Sequence, residues 1–248
     1  LNHSLHQPFN HSFNQSINQS INQSINQSIN ESINQSINTT GVNGLNFKAK
    51  AAGKIVLDND VDISTNGGDI IFWSNSGNVE SGSGDHSIRL NSGSTLTSLG
   101  GQIVLAGGTD SNSDGYPDGF GYIGDSIVPP GEVFGDSQGT APFQPGLSLG
   151  SVRNQTGSRI TIQSEGGDIV MRGRSSVASP EADGFGSQRA VVIDSGVGHI
   201  ELAGDQTSIS GGVGLRFGGF SFFPDVAISS ASSVSPAVEI IGTASNRP

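Results

Sequence analysis

Cysteine is absent from this chain, which excludes a disulfide framework and any thiolate metal site, and is compatible with secretion without requiring it. Basic residues are scarce: 11 Lys and Arg stand against 22 Asp and Glu, a formal net charge of −11. Nucleic acid and anionic membrane surfaces both demand basic patches, so neither is expected as a partner. No apolar run reaches the roughly 18 residues that a membrane-crossing helix needs, so no membrane insertion is expected. No GxxxxGK phosphate cradle occurs. Methionine occurs once, at Met171, and the chain opens at Leu1; the expectation is a fragment or partial reading frame.

Glycine is abundant. Its 37 residues beside a hydrophobic fraction of 33% point to many turns and short strands. The phrase GGDIVM (Gly166 to Met171) returns as GGDIIF (Gly67 to Phe72), GGQIVL (Gly100 to Leu105) and, altered, VGHIEL (Val197 to Leu202). The residue before the central Ile is polar each time: Asp69, Gln102, Asp168, His199. Two residues after that Ile stands Phe72, Leu105, Met171 or Leu202, and seven before it Ile63, Leu96, Ile162 or Ile193. In one strand, residues an odd number apart face opposite sides, yet both members of each pair are apolar. A corner is therefore expected between them. Glycine two residues before the Ile in all four copies, with a second before it in three, is read as supplying the positive φ that a corner needs.

Residues 1–40 are of low complexity, with INQS recurring every four residues. That peptide is what a repeated ATCA tetranucleotide encodes, so the tract reads as a translated microsatellite. The structural alternative is a disordered, Asn/Gln-rich segment prone to β aggregation. Residues 41–248 form the repeat domain. The copies follow one another after 33, 66 and 31 residues, a spacing typical of solenoids. An acidic insertion at about 107–150 carries Asp110, Asp114, Asp118, Asp125, Glu132 and Asp136 with no Lys or Arg. It is expected to protrude, as is a shorter insertion at about 173–188.

The fold expected is all-β, a right-handed single-stranded parallel β-helix, with an antiparallel sandwich or barrel as the competitor. The GG-[DQ]-I phrases interleaved with strands such as STLTS (Ser94 to Ser98) resemble the filamentous-haemagglutinin-type β-helix repeats of large bacterial secreted and surface proteins. The resemblance covers residues 53 to about 242. It implies a non-enzymatic shaft or adhesive piece of an exoprotein, extracellular or at the bacterial cell surface. Expected partners are host or environmental glycans, cell-surface proteins and the remaining coils of a longer parent chain. No NPNG-type element of the amino-terminal secretion domain is present, which assigns this piece to the repeat shaft.

Calcium is the one cofactor to which the sequence points. In DSNSDGYPDG, Asp110, Asn112 and Asp114 have the alternate oxygen spacing that wraps a loop around a hard cation, the Tyr116 carbonyl and Asp118 follow, and Gly115 allows the bend. This resembles the DxNxDGxxD loops of calcium repeats, although Gly121 stands where those loops place a bidentate Glu. The plainer reading is an Asp/Asn/Gly turn with solvated carboxylates. A second function class is a polysaccharide lyase or glycoside hydrolase fragment, with Asp168, Arg172, Arg174, Asp183 and Arg189 as its charged set; the plainer reading leaves them facing water. Trp73, Phe134, Phe143 and the Phe217 to Phe223 run either stack on sugars or pack internally.

Overall fold

In a computed structural model the described residues are 25–26, 31–78, 84–124, 145–150, 158–178, 182–208, 212–218 and 225–244. They hold twenty-one short strands and no helix. The first sheet contains β1 (Ile25–Asn26), β4 (Phe47–Lys50), β7 (Ile70–Ser74), β11 (Ile103–Gly107), β15 (Ile169–Ser175), β18 (Ile200–Gln206) and β21 (Val238–Ala244), with β8 (Asp85–His86) and β12 (Gly121–Ile123) attached. The second contains β2 (Glu31–Ile33), β5 (Ile55–Leu57), β9 (Ile88–Leu90), β13 (Leu147–Leu149), β16 (Phe185–Ser187) and β19 (Leu215–Phe217). The third contains β3 (Ile37–Asn43), β6 (Asp62–Asn66), β10 (Thr95–Thr97), β14 (Ile160–Gln163), β17 (Val191–Asp194) and β20 (Val226–Ser229).

The chain visits the first sheet, then the second, then the third, and returns to the first one strand further along. Neighbours in each sheet are parallel and in register, apart from the antiparallel pairing of β8 with β12 and a register shift between β3 and β6. Such an arrangement is consistent with a parallel β-helix. One circuit, not two, fills the 66 residues between the paired Ile103 and Ile169, because the extra length lies in the connections around β12 and β13.

Register aligns like with like. Phe47, Ile70, Ile103, Ile169, Ile200 and Val238 form one inward column of the first sheet. Ile63, Leu96, Ile162, Ile193 and Ile228 form the matching column of the third. Ile63 and Ile70, seven residues apart, are both fully buried although they belong to different sheets, so the turn between them is the corner that the odd spacing required. Each such Ile removes apolar area worth about 2 kcal/mol from water.

Where it is described, the low-complexity tract contributes strands. β1, β2 and most of β3 fall within it and pair in parallel with β4, β5 and β6. Ile33 and Ile37 pack against the core, while Asn34, Gln35 and Ser36 between them face water. A four-residue period suits strands when a bend separates successive Ile residues. Residues 1–24 lie outside the described residues.

Candidate functional site

The corners between the third and first sheets are built from a motif longer than the sequence reading found. Thr65, Ser98, Ser164 and Ser195, all fully buried, stand five residues before the central Ile. Their hydroxyls donate to the carbonyls of Gly68, Gly101, Gly167 and Gly198 three residues on. They also approach the next circuit, with Thr65 Oγ1 at 3.3 Å from the Ser98 carbonyl and Ser164 Oγ at 3.2 Å from that of Ser195. The polar residue before the Ile acts between circuits too. Asn46 Oδ1 accepts the Asp69 N–H at 2.8 Å, Asp69 Oδ1 that of Gln102 at 2.8 Å, and Asp168 Oδ1 that of His199 at 2.7 Å.

The glycines divide their work in a way the spacing did not reveal. Gly100 has φ of +114° and open space where a Cβ would stand. Gly101 is outside the positive-φ set, and a Cβ there would come within 2.2 Å of the Gly68 carbonyl oxygen. The glycine common to all four copies is thus demanded by close stacking of backbone on backbone, and only the one before it by dihedral angle.

The outer face of the first sheet carries the second feature. Ile71, Trp73, Val104 and Ala106 alternate outward from the inward columns and are nevertheless at most 5% exposed. The segment 108–120 covers them. It leaves the sheet after Gly107 and returns as β12, whose Gly121 pairs with Gly173 of β15 where β11 would otherwise have continued. Trp73 Nε1 donates to the Gly108 carbonyl at 2.7 Å, and Lys48 Nζ to that of Gly115 at 2.6 Å. Tyr116 donates its hydroxyl to Asp69 Oδ2 at 2.5 Å, and Arg172 Nη1 donates to the Asp118 carbonyl at 3.0 Å. Lys50 Nζ lies 3.7 Å from the Trp73 ring centroid, and the Arg174 guanidinium 4.5 Å from that of Phe120. This part of the acidic insertion therefore lies down on the sheet instead of protruding, because an apolar outer patch needs cover. Asp125, Glu132, Asp136, Phe134 and Phe143 lie outside the described residues.

The five expected cation ligands form the crest of this segment, with Asn112, Asp114 and Asp118 exposed. Their oxygens are engaged within the loop. Asp110 Oδ1 and Oδ2 accept the N–H groups of Asp114 at 3.1 Å and Gly115 at 2.9 Å. Asn112 Oδ1 accepts that of Asp114 at 3.0 Å, and Asp114 Oδ1 that of Tyr116 at 2.9 Å. Asp118 turns to the Ser111 hydroxyl and N–H, which hold its carboxyl below the usual range. Among the described residues no group of three or more His, Cys, Asp or Glu is placed to hold a metal ion. Positive charge is supplied from below instead: burial lowers the Lys48 pKa, and Asp110 and Asp114 oppose that shift.

Four members of the charged set of the enzyme alternative bond to residues outside it. Asp168 serves the corner. Arg172 forms a double hydrogen bond with Glu201, at 2.6 and 2.9 Å, and Arg174 pairs with Asp205 at 2.8 Å, each across to the next strand of the first sheet. Asp183, fully buried two residues before β16, accepts the Val213 N–H on Oδ1 at 2.9 Å. Its Oδ2 lies 3.0 Å from Arg216 Nε without an aligned donor. Burial pushes the Asp183 pKa up to about 6. Arg189 is 7% exposed, and its Nε has no hydrogen-bond partner. The GxSxG string from Gly146 to Gly150 escaped sequence reading, but it places Ser148 in the middle of β13 at 2% exposure, not at the strand-to-helix turn on which that motif's chemistry depends. A second such string, at 135–139, lies outside the described residues.

No protein-family model, no curated protein and no solved structure matches the chain.

Proposed function

We propose that the protein is a right-handed single-stranded parallel β-helix serving as a shaft or adhesive surface of an extracellular bacterial exoprotein, without catalytic activity. The observation that carries this reading is the way outward charges are used. Arg172 with Glu201 and Arg174 with Asp205 pair from one strand to the next, as do the corner acceptors, so side-chain chemistry is spent on joining circuits. A cleaving site needs carboxylate and Arg groups converging on one substrate bond, and here Asp168, Arg172, Arg174 and Asp183 each bond to a residue outside that set. Glycans, cell-surface proteins and further coils of a longer chain are the partners this reading implies. The alternative is a polysaccharide lyase or glycoside hydrolase on the same scaffold. Incubation of the purified chain with acidic and neutral polysaccharides decides between them: the shaft reading expects no release of unsaturated or reducing ends, and release overturns it.

For the loop crest we propose weak calcium binding through Asp110, Asn112, Asp114, the Tyr116 carbonyl and Asp118. The support is that Asp110 Oδ1 and Asn112 Oδ1 both accept the Asp114 N–H, which brings two of the expected ligand oxygens to one point of the loop. Calcium there would bring charge neutralisation and added loop order.

A further inference from the structure

We propose that Asn112 is a spontaneous deamidation site of the folded chain, converting to aspartate and isoaspartate ahead of the Asn-Gly peptides at Asn43 and Asn66. Deamidation begins when the backbone nitrogen of the following residue, stripped of its proton, attacks the side-chain amide carbon. Glycine obstructs that attack least, so by sequence the reactive pairs are Asn43 with Gly44 and Asn66 with Gly67. Aspartate cyclises in the same way before glycine, at Asp114, Asp118 and Asp183. The fold restrains every one of these glycine nitrogens. Gly44 N–H donates to the Asn66 carbonyl at 2.9 Å, Gly67 to that of Ser98 at 2.8 Å, Gly119 to that of Gly107 at 2.8 Å and Gly184 to that of Val213 at 3.0 Å. Gly115 N–H donates to Asp110 Oδ2 at 2.9 Å. A nitrogen whose proton is held by an acceptor must first be freed by local opening.

Ser113 differs. Among the described residues its N–H donates to nothing, and both it and Asn112 are exposed. The Asn112 side chain is held against that same peptide, since Oδ1 accepts the Asp114 N–H at 3.0 Å and so closes a turn around the Ser113 nitrogen. That donor also faces the negative charge that develops on Oδ1 during attack. Asn112 Nδ2 donates to Asp114 Oδ2 at 3.0 Å. Ser92, after Asn91, likewise has an unengaged N–H among the described residues. Asn91 is half-buried, however, and its own N–H is tied to the Leu57 carbonyl of the neighbouring circuit.

Water is the only co-reactant. The Ser113 nitrogen gives its proton to solvent base and bonds to Asn112 Cγ, and the Cγ–Nδ2 bond breaks. Nδ2 takes up a proton, for which the Asp114 carboxyl group is the adjacent relay, and leaves as ammonia. Water then opens the five-membered imide at either carbonyl, giving aspartate or isoaspartate. The change reverses one contact, because a donor to Asp114 becomes a carboxylate facing one. Asp114 Oδ1 holds the Tyr116 N–H at 2.9 Å, so covering segment 108–120 loosens as the chain ages.

The test keeps the full chain folded at near-neutral pH with a calcium chelator, beside a sample unfolded in guanidinium. Both are followed by peptide mass mapping that separates isoaspartate. In the folded chain residue 112 is expected to convert at least about tenfold faster than Asn43 or Asn66, and in guanidinium the order is expected to reverse. Ser113→Gly, which suits the φ of +62° at that position, is expected to speed conversion, and Asn112→Gln to abolish it. Retention of Asn112 in the folded chain, or earlier conversion of Asn43 or Asn66, overturns the proposal. If Asn112 leads in guanidinium as well, the selection by the fold is overturned. Asn112→Asp is expected to speed hydrogen exchange of the Tyr116 amide roughly threefold to tenfold; unchanged exchange overturns the loosening.

Discussion

Asp69 accepts the backbone N–H of Gln102 at 2.8 Å, and the two residues hold the same corner position one circuit apart. The same carboxylate takes the Tyr116 hydroxyl on its other oxygen. One side chain thus joins two circuits and pins the covering segment 108–120 to the first sheet. At the same position in other circuits, Asn46 and Asp168 cap the next N–H alike, whereas His199 sends Nδ1 to the Pro236 carbonyl at 2.7 Å. The requirement is a polar atom within reach of the next backbone, which either an amide or a carboxylate meets.

Replacing Asp69 by Ala leaves the Gln102 N–H and the Tyr116 hydroxyl without their acceptor. The expected loss is about 1–3 kcal/mol, read as a lower midpoint in thermal or urea unfolding. Asp69→Asn keeps an acceptor at Oδ1 and is expected to lose less than about 1 kcal/mol. Equal losses in the two variants would contradict the acceptor role.

The two corner glycines are expected to fail differently. Gly101→Ala drives a Cβ to 2.2 Å from the Gly68 oxygen, so the stacked backbones must part, at about 2–4 kcal/mol. Gly100→Ala meets no atom and suffers only from φ of +114°, about 1–2 kcal/mol. Comparing their unfolding midpoints checks the order, and a larger loss at Gly100 than at Gly101 refutes the close-stacking account.

Asp183 gives a pH dependence whose sign follows from burial. Its carboxyl is raised from an ordinary 3.8 to about 6, so between those values the folded chain holds a proton that the unfolded chain has lost. Stability from this group is therefore greatest below about pH 4 and is lost as pH rises toward 6, by roughly 2–3 kcal/mol in all. Other carboxylates contribute their own slopes, so the measurement is the difference between wild type and Asp183→Asn at pH 4 and pH 7. Wild type is expected to lose more stability than the variant over that rise; parallel curves would refute the assignment.

Lys48 and the crest acids are expected to set the order of segment 108–120. Lys48→Met removes the donor to the Gly115 carbonyl and is expected to speed hydrogen exchange of the Gly115 and Asp118 amides about tenfold, the equivalent of roughly 1.4 kcal/mol of local stability. Calcium titration into the wild-type chain is expected to show a dissociation constant of about 10⁻⁴ to 10⁻³ M, with the heat abolished by Asp114→Ala. Without such heat the calcium proposal falls.

The sequence by itself determined the corners. Ile63 and Ile70 are both apolar at an odd spacing, and strand parity alone places a turn between them. Aligned phrases such as GGDIIF and GGQIVL likewise set which Ile stacks on which, since in-register parallel pairing puts equal positions side by side. The hydroxyl column of Thr65, Ser98, Ser164 and Ser195 was also legible as a recurrence five residues before the Ile. Its meaning was not, because a buried serine is known as buried only once the circuits stack. Tertiary structure decided the rest. Only the pairing of β12 with β15 shows that segment 108–120 folds back over Trp73. Only the stacking of Gly101 on Gly68 separates a glycine needed for space from one needed for φ. Local spacing fixes which way each residue faces along its own strand, whereas cover, close approach and ion pairing depend on residues that lie a circuit or more away in the chain.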